Sequence, residues 1–397
     1  MKHRFIAKRY WKDQATAMGQ SDVLAKCFDD VINLSLGDPD IVTPQIIIDK
    51  SYEDARSGHT KYTDFRGDPE LRKEICNYYK EEFEMDVADE EVFVTASASL
   101  GMYLALEAVL DDGDEVILQS PHFTPYPQQV ELARGIPIEL DTFENEDFQI
   151  NPARLRACIT ERTKAIVINS PNNPTGSCLT RETMAQIAAI AEEYDLVVIS
   201  DEIYTAYSYQ HPFVPFASLP DMAERTITLN SFSKDYVMTG WRVGNIIAAP
   251  HIIKVIQQIN ENVVFTAPSI SQRAAIHALR CRKEIQPQLV ATFRERMCYA
   301  AERINRVPGM HVIQPPKGSF YLFINIRDTR MTSEEAAERI LQECHVLMLP
   351  GNAFGSCGEG YLRIACTVEI PVLKEAFDRI EKSECFSNSE IERRNNE

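Results

Sequence analysis

Between residues 91 and 248, short β-branched runs alternate with longer helical patterns, and this order constrains the fold more than any other feature of the chain. The runs cover 91–95, 115–118, 164–169, 196–200, 226–229 and 243–248. Apolar residues recur at helical spacing over 101–110, 180–194 and 269–279. Strands separated by helices do not pair as simple hairpins. The alternation therefore predicts an α/β unit, with a mainly parallel mixed sheet sandwiched by helices.

Beyond residue 285 the pattern changes to a long helix, a strand over 318–326, a helix over 333–343 and a short strand over 361–365. These segments read as a smaller α+β domain. The 397 residues exceed what one ordinary core encloses, in keeping with two domains. We expect an N-terminal segment over 1–45, a large domain over 46–284, a small domain over 285–385 and a polar, disordered tail over 386–397.

Forty-one Lys and Arg against 59 Asp and Glu leave a formal charge of −18, which repels polyanions and argues against nucleic acid as a partner. No stretch approaches the roughly 18 uninterrupted apolar residues of a membrane span, and residues 1–11 carry cations without an apolar h-region. A cytoplasmic chain is expected. Ten cysteines stand singly, with no Cys-x-x-Cys pair and no histidine at ligand spacing, so reduced thiols and no metal site are expected. Cys357 and Cys366 could lie close in space, although buried inert thiols are the commoner outcome.

Most strand endings run into polar, Gly- or Pro-containing segments, at 95–99, 120–123, 170–176, 201–204 and 230–234. In open α/β sheets the ligand sits outside the carboxyl ends of the strands, so the candidate chemistry gathers at one edge. Within 230–244, Lys234 follows a strand, is flanked by small hydroxyl residues and precedes Arg242 by eight positions. Such a pair could hold an anionic ligand, and a lysine amine shielded from water is suited to imine formation and proton transfer. Taken alone, a loop lysine is more often a surface residue.

Three segments change that balance: Ser231-Phe-Ser-Lys234 with Gly240-Trp-Arg242-Val-Gly244, Asn173-Pro-Thr-Gly176, and Asp201-Glu-Ile-Tyr204. Together they resemble the signature of the fold-type I, class I/II aminotransferases, and the resemblance runs from Asn33-Leu-Ser-Leu-Gly-Asp-Pro39 to Tyr361-Leu-Arg-Ile364. It implies a pyridoxal 5'-phosphate cofactor held by Lys234 as a Schiff base, with Asp201 on the pyridine nitrogen and Asn173 and Tyr204 on the phenolic oxygen. Protonation of that nitrogen lets the ring accept the electrons of a carbanion. Phe123 would stack on the ring, and Tyr126 would support Asp201.

By the same resemblance, Ser97, Ala98, Ser99, Ser231 and Arg242 form the phosphate cup, where a turn entering a helix supplies free N–H groups. Ser97 stands near a position the family usually fills with glycine. Arg363 would clamp the substrate α-carboxylate through a bidentate pair, with Gly37 and Asn173 beside it. Tyr62 matches the tyrosine that reaches the phosphate of the neighbouring subunit, which implies a homodimer. The N-terminal segment is expected to join the small domain.

The implied reaction moves an amino group from an L-amino acid to a 2-oxo acid in a ping-pong cycle, with Lys234 as general base. Carbon–sulfur lyases and aminocyclopropane-carboxylate-type synthases use the same scaffold and are the alternative. A Rossmann dehydrogenase is disfavoured, because no Gly-x-Gly-x-x-Gly follows the early strands. Ser99 falls where one branch of the family carries a lysine for dicarboxylates. A neutral or aromatic amino acid is therefore expected over aspartate.

Overall fold

The structure is a computed structural model and describes residues 3–11, 23–26, 28–386 and 394. Strand β1 (Ile32–Asn33) stands apart from the main sheet. That sheet contains β2 (Val92–Thr95), β3 (Glu115–Ser120), β4 (Ile136–Asp141), β5 (Thr163–Asn169), β6 (Val197–Asp201), β7 (Thr226–Ser231) and β8 (Gly244–Ile247). Its spatial order is β2-β8-β7-β6-β5-β3-β4. Strands β4, β3, β5, β6 and β7 run parallel, while β8 is antiparallel to both β7 and β2. The sheet is thus mixed and mainly parallel, as the alternation predicts.

Side chains on successive strand residues point to opposite faces, and both faces are covered. Phe93, Val116, Val167, Ile199 and Ile246 meet the helices Ala98–Val109 and Pro250–Val263. Ile117, Ile166 and Val198 meet the helix Arg181–Glu193, and Val94 and Ile247 meet Pro69–Phe83 and Ser269–Arg280. Thr180 starts the helix Arg181–Glu193 by accepting a hydrogen bond from Thr183 N at 3.1 Å. Strand β4 escapes the sequence pattern because Pro137 interrupts it. At the edge of the sheet the missing N–H breaks no ladder.

The remaining strands are β9 (Tyr321–Asn325), β10 (Val346–Leu347), β11 (Leu349–Pro350) and β12 (Tyr361–Ala365). Strands β11, β12 and β9 form an antiparallel sheet, and β1 pairs in parallel with β10. Phe293, Phe320, Ile324, Ile340, Leu362 and Phe377 share a core with Leu34, so the N-terminal segment is built into the smaller α+β unit. Phe386 is also buried there, contrary to a tail beginning at 386: its ring finds apolar neighbours that a polar reading of the segment overlooks. Apart from residue 394, the rest of that expected tail lies outside the described residues.

Cys357 and Cys366 do not share a neighbourhood. Cys357 Sγ hydrogen-bonds Ser120 Oγ at 3.2 Å, whereas Cys366 is fully buried near Arg296 and Cys298. The thiols that meet are those of Cys344 and Cys385. Among the described residues, no helix is long and apolar enough to cross a membrane.

Phe293 is 0% exposed and packs its ring against Tyr207 and Phe320, at centroid distances of 5.5 and 5.4 Å. Phe293→Ala is expected to lower the free energy of unfolding by about 3–5 kcal/mol in a urea titration. An unchanged midpoint and slope would contradict this view of the core.

Candidate active site

The parallel register brings the functional loops to one level. Asn169 at the end of β5 pairs with Asp201 at the end of β6, and Asp201 pairs with Leu229 of β7. The loops leaving these strands carry Asn173, Tyr204 and Lys234. Because β8 runs back antiparallel, Gly244 lies opposite both Ser231 and Thr95, which returns Arg242 to the edge that carries Lys234. A cavity of about 420 Å³ opens there, lined by the predicted residues Gly37, Phe123, Asn173, Asp201, Tyr204 and Lys234.

Asp201 is buried, accepts a hydrogen bond from Tyr126 OH on Oδ2, and accepts one from Ile203 N on Oδ1 at 3.3 Å. Among the described residues no cation pairs with it. Burial therefore dominates and pushes its carboxyl up to about 6. Asn169 Nδ2 donates to Asp201 O at 2.9 Å, and Asn169 Oδ1 receives Asn173 N at 2.8 Å. One amide side chain thus ties the β5 loop to the end of β6.

Arg363 shows the opposite imbalance. It is 0% exposed, although an arginine in a strand ordinarily reaches solvent. Nη1 donates to Asn173 Oδ1 at 3.1 Å and Nη2 donates to Ser35 O, while Nε has no acceptor. The guanidinium lies 4.5 Å from the Tyr321 ring centroid and 4.8 Å from that of Phe354. No carboxylate forms an ion pair with it among the described residues, and burial lowers its pKa. An unpaired buried charge is costly, and a ligand of opposite sign relieves that cost.

Lys234 is half-buried, and its Nζ donates to Gly37 O at 2.6 Å. A Cβ at position 37 would fall 1.8 Å from Tyr321 OH, so only glycine allows this approach. Tyr204 is buried and donates to Tyr321 OH at 3.2 Å; burial holds its hydroxyl well above the usual range. Phe123 meets Tyr126 edge-on at 5.7 Å.

Ser97, Ala98, Ser99, Ser231, Arg242 and Arg363 do not line that cavity; Arg363 lies behind two of its lining residues, Asn173 and Tyr321. Ser97 caps the helix Ala98–Val109 by accepting from Leu100 N at 3.0 Å, and Ser231 Oγ accepts from Ser233 N at 3.1 Å. The two turns converge on Gly244, where a Cβ would sit 2.7 Å from Asn230 O and 3.0 Å from Ala98 N. Ser99 is exposed, and its carbonyl accepts from Gln129 Nε2 at 2.8 Å. Arg242 is exposed, donates to Thr239 O at 2.8 Å, and has no carboxylate partner among the described residues.

Tyr62 is 81% exposed, lines a separate pocket with Lys61 and Arg273, and touches Phe265 edge-on at 4.9 Å. Sequence reasoning overlooked Tyr321, which lines the main cavity beneath Arg363 and bonds Tyr204. An aromatic residue in a buried strand carries no signal beyond core packing.

The cavity gathers the Lys234 amine and the buried Asp201 carboxyl, and the buried Arg363 guanidinium reaches its wall through Asn173. Residues 29–380 match the family described as aminotransferase class I and II. The chain is 38% identical to an aspartate aminotransferase of Pyrococcus horikoshii, over 96% of this chain and 97% of that protein. It is 35% identical to aromatic-amino-acid aminotransferase 2 of Thermococcus litoralis, over 90% and 93% respectively. The structure of aspartate aminotransferase from Thermus thermophilus with maleate superimposes with a TM-score of 0.90 at 30% identity, covering 96% of this chain and 100% of that one.

The chain belongs to the class I and II aminotransferases. It is an enzyme of the transferase class that uses pyridoxal 5'-phosphate, and its relatives do not favour the lyase or synthase alternative.

Burial places the Asp201 carboxyl at about 6 against an ordinary 3.8, so its ionisation costs the folded chain stability. That cost is absent below the ordinary value and is complete once pH has risen through about 6. Cofactor-free Asp201→Asn is therefore expected to melt above cofactor-free wild type near pH 8 and to lose the advantage near pH 4. A gap independent of pH would contradict the environment described for Asp201.

Proposed function

We propose that this cavity transfers the amino group of a neutral or aromatic L-amino acid to a 2-oxo acid in a ping-pong cycle, with Lys234 at its centre. The observation that carries the reading is the pair of unmatched buried charges, Asp201 and Arg363, around a half-buried amine. Pyridoxal 5'-phosphate fits these residues: its aldehyde suits the Lys234 amine, and its ring nitrogen supplies the proton and positive charge that Asp201 lacks. When bound, it supplies an electron-accepting ring for the charge left as the α-proton departs.

Lys234 Nζ would be the attachment point for the cofactor's aldehyde, and as a free amine it would remove and return the substrate α-proton. Asp201, held by Tyr126, keeps a proton on the ring nitrogen. Asn173 Oδ1 accepts from Arg363, which leaves Nδ2 to donate to the ring oxygen, and Tyr204 would donate there by turning its one proton away from Tyr321. Phe123 stacks on the ring. Ser97, Ala98 and Ser99 at the start of a twelve-residue helix, with Ser231 and the unpaired Arg242, hold the phosphate. Arg363 and the Gly37 segment bind the substrate carboxylate.

Tyr62, exposed with Phe65, Val263, Val264 and Phe265, is read as serving the neighbouring site of a homodimer. The clusters on the main sheet support a large domain over 46–284, and the cluster around Phe293 and Leu34 supports a small domain over 285–385 with 1–45 added; Tyr204, Tyr207 and Val237 join that second cluster from the large domain. The free, singly placed cysteines suit a cytoplasmic enzyme.

The substrate class follows from the lining. Leu36, Phe123, Ile203 and Tyr321 give apolar surface, Lys234 is its one cation among the described residues, and Asp38 is held at the wall by Thr239 Oγ1 at 2.7 Å. A side-chain carboxylate would meet no second cation there. The relatives named as aspartate aminotransferases favour the other reading, so a panel of donors with 2-oxoglutarate is the test. Aromatic and neutral donors are expected to exceed aspartate in kcat/KM; a clear preference for aspartate would overturn the substrate class. Lys234→Ala is expected to lose both turnover and the visible absorbance of the linked cofactor, and activity with full absorbance would remove Lys234 from its role.

A further inference from the structure

Asp235, the residue after the reactive lysine, is fully enclosed yet binds no ligand in the proposed reaction. Its Oδ2 accepts hydrogen bonds from Thr205 Oγ1 and, at 3.2 Å, from Ala206 N. Both donors directly follow Tyr204. A third bond runs the same way, from Tyr207 OH to Lys234 O at 3.0 Å. Two short turns, Phe232–Asp235 after β7 and Thr205–Tyr207 after β6, are thereby clamped together behind the cavity. Neither turn is long enough to hold its own shape.

We propose that Asp235 is a positioning residue: it locks the turn bearing Lys234 onto the turn bearing Tyr204, and so fixes the aim of the lysine amine. The inference rests on the proposed role of Lys234. A simple filling role fits poorly, because a leucine would fill the same space without burying a carboxyl group. Asp235 Oδ1 has no partner, and no cation pairs with the group. Arg282 lies over the Tyr78 ring at 5.7 Å and is committed to Glu81 and Glu82. Burial accordingly raises the Asp235 carboxyl to about 7. What the turn needs from the group is one acceptor aimed at Thr205 and Ala206, which an amide oxygen also provides.

The test uses the holoenzyme and compares Asp235→Asn, Asp235→Leu and Thr205→Val for cofactor absorbance, thermal midpoint, kcat and donor KM. Asp235→Asn should stay within about threefold of wild type in kcat. Asp235→Leu and Thr205→Val should load cofactor and remain folded while kcat falls about 10–100-fold, the scale of a catalytic group misplaced by about 1 Å, with KM changing much less. Wild-type kcat in Asp235→Leu, or a defect in Asp235→Asn equal to that in Asp235→Leu, overturns the inference. Should Asp235→Leu not fold, Thr205→Val decides alone: normal kcat refutes the clamp, and a kcat defect with retained loading sustains it. Wild-type enzyme lacking turnover or cofactor absorbance would instead refute the role of Lys234.

Discussion

Two buried charges that do not meet govern this site. Asp201 has a tyrosine and a backbone amide but no cation; Arg363 has an amide oxygen, a carbonyl and two aromatic rings but no anion. Brought together they would satisfy each other and leave nothing to offer a ligand. The fold prevents this by holding each on a different strand of a different sheet, Asp201 on β6 and Arg363 on β12. Apolar clusters on both faces of the main sheet, and a third around Phe293 and Phe320, make such isolated charges tolerable. In the proposed role of these residues, a ligand positive at one end and negative at the other would relieve both and link binding to folding stability.

The sheet supplies the precision that the loops lack. Parallel strands in register end at the same height, so the segments after β5, β6 and β7 begin side by side. The antiparallel return of β8 then closes Lys234 and Arg242 into one excursion over Gly244, where the backbones approach too closely for any side chain. The chemistry sits on loops, while the accuracy comes from register and from side-chain bonds such as Asn169 to Asp201 and Asp235 to Thr205.

Much of this was legible in the sequence, for reasons that differ by element. The six β-branched runs belong to buried strands, where both faces demand apolar residues, so they stand out from their surroundings. The segments around Lys234, Asp201 and Asn173 stood out through their resemblance to the aminotransferase signature, and the structure brings all three residues to one cavity. Strand β4 was hidden by Pro137, which an edge position tolerates. Phe386 was concealed by its polar neighbours. Tyr321 could not be distinguished from core, because its function lies in what its ring and hydroxyl touch across the fold. The meeting of Cys344 with Cys385 likewise depends on two helices packing, which no spacing along the chain reveals.

The bond from Lys234 Nζ to the Gly37 carbonyl joins the reactive nitrogen to the segment that borders the cavity. That segment is tied to the rest of the fold by β1, by Arg296 on Asp40 and by Thr367 Oγ1 on Leu36 O. At its glycine the lysine is the latch. In the role proposed for Lys234, a covalent bond to that nitrogen would withdraw the donor and leave the Gly37 carbonyl without it.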